Sequence, residues 1–219
     1  MSILILRLAG PLQAWGTDSK LADRSTGLYP SKSAVLGMIA AAQGRPRDAD
    51  ISDLAAYPFG VAVRRPGSAV ADTQTAIAGG ASYRAAKDNE RYFFRKTYLQ
   101  DAVFFAGVQC EADTARELAG ALQHPAFPLY LGRRGCPVTQ PLIIGISEKP
   151  MENALTEAAL ADPKQSFERE DVHIRLIVES AEGDMVRDVP VSFDPRKRTF
   201  SGRRVMERGA ADVSEQSDP

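Results

Sequence analysis

Apolar and polar positions along this chain follow two different rhythms. Residues 3–8 form an apolar run interrupted only by Arg7, the pattern of a strand covered on both faces. After a loop from Gly10 to Pro30 the period changes, and Val35, Met38, Ile39 and Ala42 fall at helical spacing. Ser31 stands at the N-cap of that helix and Gly44 at its stop. A strand is predicted over 59–65, turned by Pro66-Gly67 into a second extended run through Ile77. Gly79-Gly80 breaks that run. From Tyr83 to Lys96 the chain is polar and aromatic, with Asp88-Asn89 at a turn, and it reads as a protruding hairpin. A strand over 101–110 then returns to the core with Ala102, Phe104, Ala106 and Val108 on one face. A second helix is predicted over 112–123, burying Ala115, Leu118, Ala119 and Leu122 and ended by Pro125. A short strand over 127–131, a Gly/Arg loop and an apolar strand over 142–146 complete this half.

The order βαβ, hairpin insertion, βαβ predicts an α+β chain built on a ferredoxin-like or RRM-type domain (βαββαβ). That domain is expected over 1–147, with a thumb hairpin at about 79–98. An acidic connector follows over 148–171. A small C-terminal β-rich extension is predicted over 172–208, as a hairpin around Glu182-Gly183-Asp184 plus one more strand over 199–206. Residues 209–219 read as a disordered acidic tail.

Composition narrows the class. The 219 residues are 44% apolar and 25% charged, enough to bury a real core. No apolar run reaches the roughly 20 residues a membrane helix requires, and no signal peptide is expected. Cys110 and Cys136 are far apart and outside any CxxC pair, so they read as thiols of a reducing compartment, which points to the cytoplasm. Net charge is −1, yet the tail holds three acids, so the remainder sums to +2. Residues 151–171 carry six acids against two bases. Bases gather instead at Arg91, Arg95 and Lys96, at Arg133-Arg134, at Arg196-Lys197-Arg198 and at Arg203-Arg204. Such a patterned surface permits a nucleic-acid partner without a basic pI.

Candidate chemistry is sparse. His124 and His173 stand outside any Gly-x-Ser-x-Gly, HExxH or Cys/His arrangement, and no Walker loop, dinucleotide fingerprint or metal-ligand spacing is present. No cofactor or metal is expected. The loop Leu131-Gly132-Arg133-Arg134-Gly135 is more informative. Its glycines allow close backbone approach and its arginines offer forked donors to phosphate, with Tyr130 alongside to stack on a base. A tight turn with two solvated arginines fits the same residues, and composition alone leaves both readings open. Ser31-Lys32-Ser33 at a helix N-terminus is either a phosphate seat or a plain serine cap. The hairpin bases and exposed aromatics suit an arm that inserts between partners, or a merely amphipathic surface hairpin. Gln13 and Trp15 carry no chemistry alone.

Taken in order, four blocks resemble the CasD family, subunits of the type I-E CRISPR effector complex Cascade within the RAMP superfamily. They are Leu8-Ala9-Gly10-Pro11-Leu12-Gln13-Ala14-Trp15-Gly16, then Pro30-Ser31-Lys32-Ser33 with Leu36-Gly37 and Ala40-Ala41-Ala42. Tyr98-Leu99-Gln100-Asp101-Ala102 and Pro128-Leu129-Tyr130-Leu131-Gly132-Arg133-Arg134-Gly135-Cys136-Pro137 complete the set. The resemblance runs over about 3–146 and continues more weakly over 189–206. It implies an RRM-type domain whose thumb and Gly-rich loop grip the 5′ handle of a CRISPR RNA in antiviral defence. It also implies packing against a CasC-type backbone subunit and a large CasA-type subunit, with target DNA engaged through the complex and no membrane. The RNA-binding residues it implies are Gln13, Trp15, Ser31, Lys32, Arg95, Lys96, Tyr130, Gly132, Arg133, Arg134 and Cys136, with no catalytic residue. One departure is visible: where the family often has Asp-Tyr-His-Thr, this chain has Asp72-Thr73-Gln74-Thr75. The competing expectations are a metal-independent endoribonuclease that processes precursor CRISPR RNA, and a scaffold whose contacts are all with protein.

Overall fold

The computed structural model describes residues 1–16, 23–77, 91–163 and 173–209. Its frame is a six-stranded antiparallel sheet in the order β10-β9-β4-β7-β1-β8. These are β1 Ser2–Ala9, β4 Phe59–Arg65, β7 Val103–Cys110, β8 Ile143–Ser147, β9 Arg175–Ser192 and β10 Thr199–Gly209. Within it β8-β1-β7-β4, joined through α1 Lys32–Ala42 and α3 Ala112–Gln123, is the split βαβ topology of a ferredoxin-like domain. The α+β expectation therefore holds.

Alternation along β1 shows why that run is apolar throughout. Leu4, Leu6 and Leu8 join the larger core with α1, α2 Ser52–Ala55 and α3, whereas Ile3 and Ile5 point into a second core on the other face. That second face is closed by α4 Met151–Ala161, through Ala154, Leu155 and Ala159. The segment expected as an acidic connector thus holds a packed helix. Its apolar positions number only a few, and their value comes from a groove in the sheet. Gly60 and Gly107 are cross-strand neighbours, and a Cβ on Gly107 would lie 2.5 Å from Met151 Sδ. Arg7, half-buried on this face, donates from Nε to Asp162 Oδ1 at 2.6 Å and anchors the end of the helix.

The C-terminal part also departs from its expected form. β9 pairs with β4 (Gly60 with Val178, Val63 with Arg175), so it is a strand of the main sheet. It does not fold back around Glu182-Gly183-Asp184. β10 pairs with both halves of β9, and residues 180–184 form a bulge between Val205↔Glu179 and Arg204↔Met185. Pairing with β10 satisfies the ladder over both halves, which a local hairpin would leave half-bonded. The distal half lies on α1, where the Phe193 ring closes on Gly37. Helix α1 is consequently buried beyond its expected stripe, with Lys32, Ser33, Leu36 and Ala40 also out of water.

The thumb is longer than expected. β5 Ser68–Ile77 and β6 Arg91–Gln100 pair antiparallel along their full lengths, from Ser68↔Gln100 to Ile77↔Arg91. The Asp88-Asn89 turn lies outside the described residues. Two short strands border the other edge of β6: β2 Leu12–Gln13 antiparallel at Leu99 and Gln100, and β3 Asp23–Arg24 parallel at Arg95 and Lys96. The strand expected over 127–131 reduces to one bridge between Tyr130 and Pro137. Pro128 removes a ladder donor there. The expected tail beyond Gly209 also lies outside the described residues, and none of their helices is long and apolar enough to cross a membrane.

Candidate nucleic-acid interface

The first loop, the thumb and the Gly-rich loop converge on β6, and their sequence explains how. Gln13 is fully buried. Its amide donates to the Leu8 carbonyl at 3.1 Å and the Ala102 carbonyl at 2.7 Å, and its side-chain oxygen accepts from Trp15 Nε1 at 3.1 Å. One side chain thereby ties the end of β1, the start of β7 and the indole together. Trp15 is equally buried. As direct RNA contacts these two are corrected: they support the site from beneath.

The Gly-rich loop closes over them. Ala14 donates its N–H to the Leu131 carbonyl at 3.1 Å, Leu131 to the Cys136 carbonyl at 2.7 Å, and Cys136 to the Arg133 carbonyl at 2.8 Å. Gly132 sits at φ +85°, and a Cβ there would overlap the Ala14 carbonyl oxygen. The glycine serves close approach of the chain to itself. Cys136 is buried, and desolvation pushes its thiol pKa up, so it too leaves the list of RNA contacts.

Arg133 braces the three elements. It donates to the Thr97 carbonyl of β6 at 3.0 Å and to the carbonyls of Arg24 and Ser25 at 2.7 and 3.1 Å, with its guanidinium 4.8 Å from the centroid of Tyr98. Carbonyls and a ring hold it without neutralising it. Arg134, next in sequence, is exposed and has no partner among the described residues. Tyr130 is half-buried and its backbone bridges Pro137.

On the thumb, Lys96 Nζ donates to Gln74 Oε1 at 2.6 Å while the Gln74 amide donates to Asp72 Oδ2 at 2.8 Å. Gln74 therefore links the cation to Asp72, its cross-strand neighbour, by hydrogen bonds and without an ion pair. Arg24, Gln74, Thr75, Ala76, Phe94, Arg95 and Lys96 line an open groove of about 300 Å³. Phe93, on the opposite face of β6, is 65% exposed. Among the described residues no carboxylate forms an ion pair with Arg24, Arg95, Lys96, Arg133 or Arg134, although Asp72 stands opposite Lys96 and Asp23 beside Arg95 in the strand register. By contrast Arg7, Arg45, Arg116 and Arg175 all sit in ion pairs. Arg24 carries no periodicity or motif in the sequence; only its pairing beside Lys96 reveals it.

Ser31 and Lys32 belong elsewhere. Ser31 caps α1 by accepting from Ala34 N–H at 3.3 Å, and the Lys32 N–H donates to Asp188 Oδ2 at 2.8 Å. Asp188 also receives Arg203 through Nε at 2.6 Å and Nη2 at 2.9 Å, and Lys32 Nζ reaches Glu179 at 2.9 Å. The anion at this helix N-terminus is the chain's own carboxylate, which corrects the phosphate seat. Burial, followed by the charge of Asp188, raises the pKa of neighbouring Tyr29.

The chain matches the model of the family described as CRISPR-associated protein (Cas_Cas5) over residues 3–206. It belongs to that family. It is 38% identical to the CRISPR system Cascade subunit CasD of Escherichia coli (strain K12) over 159 residues, 66% of this chain and 70% of that protein. Among solved structures, a chain of a CRISPR RNA-guided surveillance complex superposes with a TM-score of 0.76 at 32% identity, covering 94% of this chain and 89% of its own. A crystal structure described as a Cas protein gives 0.71 at 35% identity, covering 95% and 94%. In this chain a ferredoxin-like frame carries one long hairpin, and cations that form no ion pair among the described residues lie along it.

Proposed function

We propose that this Cas5-family chain is a non-catalytic subunit of an RNA-guided complex that caps the 5′ handle of a CRISPR RNA at the β6 interface. The observation that carries this is the group of cations on β3, β6 and the Gly-rich loop that form no ion pair among the described residues: Arg24 and Lys96 line the groove with Phe94, Arg133 lies over Tyr98, and Arg95 and Arg134 are exposed alongside. Cations left unneutralised on a built surface stabilise phosphates, and ring faces beside them take unstacked bases. The thumb and the exposed Phe93 then extend to neighbouring subunits, of CasC and CasA type. Target DNA is engaged through the complex, where base pairing rather than protein carries sequence.

Cleavage would need an acid and a base placed around a ribose 2′-hydroxyl and its phosphate. The two histidines, His124 and His173, are both exposed and neither is among the residues lining the groove, which supports the non-catalytic reading over the nuclease. The test is co-purification of the complex with an Arg24→Ala, Arg134→Ala chain, followed by RNA extraction and nuclease footprinting of the 5′ end. Loss of 5′ protection with intact subunit composition is expected. Unchanged protection would overturn the site, and RNA-free wild-type complex would leave only a protein scaffold.

A further inference from the structure

A second group of carboxylate-free cations lies on the distal β9–β10 hairpin. Among the described residues, Arg187, Arg196, Lys197, Arg198 and Arg204 are exposed and form no ion pair. Three of them are nevertheless held. Arg187 Nε donates to the Phe200 carbonyl at 3.2 Å and Arg204 Nη1 to the Gly183 carbonyl at 3.0 Å. The Arg198 guanidinium lies 5.3 Å from the centroid of Phe200 and 5.9 Å from that of Phe193. Each anchor is neutral, so position is fixed while charge is kept. The one carboxylate in the turn, Asp194, accepts the Arg196 backbone N–H at 2.8 Å. Asp188 is consumed by Arg203 and Lys32, and Glu182 and Asp184 flank the Gly183 carbonyl that holds Arg204 without forming an ion pair to it. The turn itself is fastened to α1 through Phe193 on Gly37. It belongs to a different element from the thumb groove and packs on a different support.

We propose that this turn is a second nucleic-acid contact, gripping the sugar–phosphate backbone of a duplex other than the RNA end held at β6. Guanidinium forks held by neutral partners suit phosphate, since little ordering entropy remains to be lost. A protein interface would instead offer aromatic anchors, and here both rings are half-buried under Arg198. Backbone contacts of this kind carry no sequence preference, so a duplex of arbitrary sequence is an adequate probe.

The full chain is titrated into a short fluorescein-labelled DNA duplex and, separately, into a labelled single-stranded RNA handle, across about 50–200 mM salt. The R196Q/K197Q/R198Q variant is expected to lose at least about tenfold in duplex affinity and to shrink the salt slope by about two to three, one per lost phosphate contact, with RNA affinity retained. An R24Q/R134Q variant should do the reverse, which separates failure of this proposal from failure of the β6 site. Should the triple variant fail to fold, R196Q/K197Q carries the test, because neither side chain has a partner among the described residues. Unchanged duplex affinity and slope overturn the proposal, as does a parallel loss of RNA. Tighter binding of polyglutamate than of duplex at equal charge marks a protein-docking face and overturns it too.

Discussion

Arg133 and Arg134 are neighbours with different work. Arg133 spends its donors on three backbone carbonyls and its face on Tyr98, so Arg133→Ala should lower stability by about 1–3 kcal/mol in chemical denaturation. Arg134 makes no side-chain hydrogen bond or ion pair among the described residues. Arg134→Ala should leave the denaturation midpoint unchanged, yet weaken RNA binding by about 1.5–3 kcal/mol and reduce the salt slope by about one. Anisotropy titrations at several salt concentrations check both. Gly132→Ala acts on the fold alone. Its positive φ and the overlap with the Ala14 carbonyl should cost about 2–4 kcal/mol, seen as a lower denaturation midpoint. Cys136 is a free thiol buried beneath the loop. Being buried with a raised pKa, it should resist alkylation in native protein and react once urea unfolds the chain, as mass spectrometry would report.

Elements are tied by polar groups where their apolar faces run out. Asp188 on β9 receives the first N–H of α1 and both prongs of Arg203, so it fixes the C-terminal hairpin on the helix layer. Breaking a buried pair strands its partner. Asp188→Asn should therefore cost about 3–5 kcal/mol, more than loss of any surface pair. Urea denaturation of the isolated chain is the measurement, with Arg116→Ala as the exposed comparison. The thumb should behave in the opposite way. Among the described residues of the hairpin, 73–77 and 91–95 hold no core side chain, Leu99 being the last, and loop closure depends weakly on length, so the stretch 73–95 is the part to replace. Replacing it with a two-glycine turn should leave the melting curve near the parent's while preventing entry into a full-sized, RNA-containing complex on size exclusion. A variant that still assembles would remove the arm from the assembly mechanism.

For the whole molecule, the expected chemistry is none. Purified chain should leave a CRISPR repeat RNA intact with or without divalent metal; specific cleavage abolished by one Tyr, Lys or His substitution would replace the capping reading with a nuclease. Much of this molecule was legible along the chain. β1, α1, β4, β7 and α3 follow from local periodicity and caps, because burial on a regular element repeats every two or 3.6 residues. The thumb arms and the Gly/Arg loop are marked by residue type. What local pattern could not carry was partnership. α4 reads as acidic because its value lies in a few side chains over Gly60 and Gly107, which only sheet pairing brings together. Ser31-Lys32 has the form of a phosphate seat in sequence, and a carboxylate from β9 fills it. Gln13, Trp15 and Cys136 carry the family pattern through burial beneath the site, whereas Arg24, with no pattern at all, reaches it through two residues of parallel pairing. Sequence by itself determined the elements and the stock of cations. Tertiary structure decided which cations stand without an ion-paired carboxylate, because that depends on whether one lies within a few ångströms, and the distance is set by contacts between residues far apart in the chain.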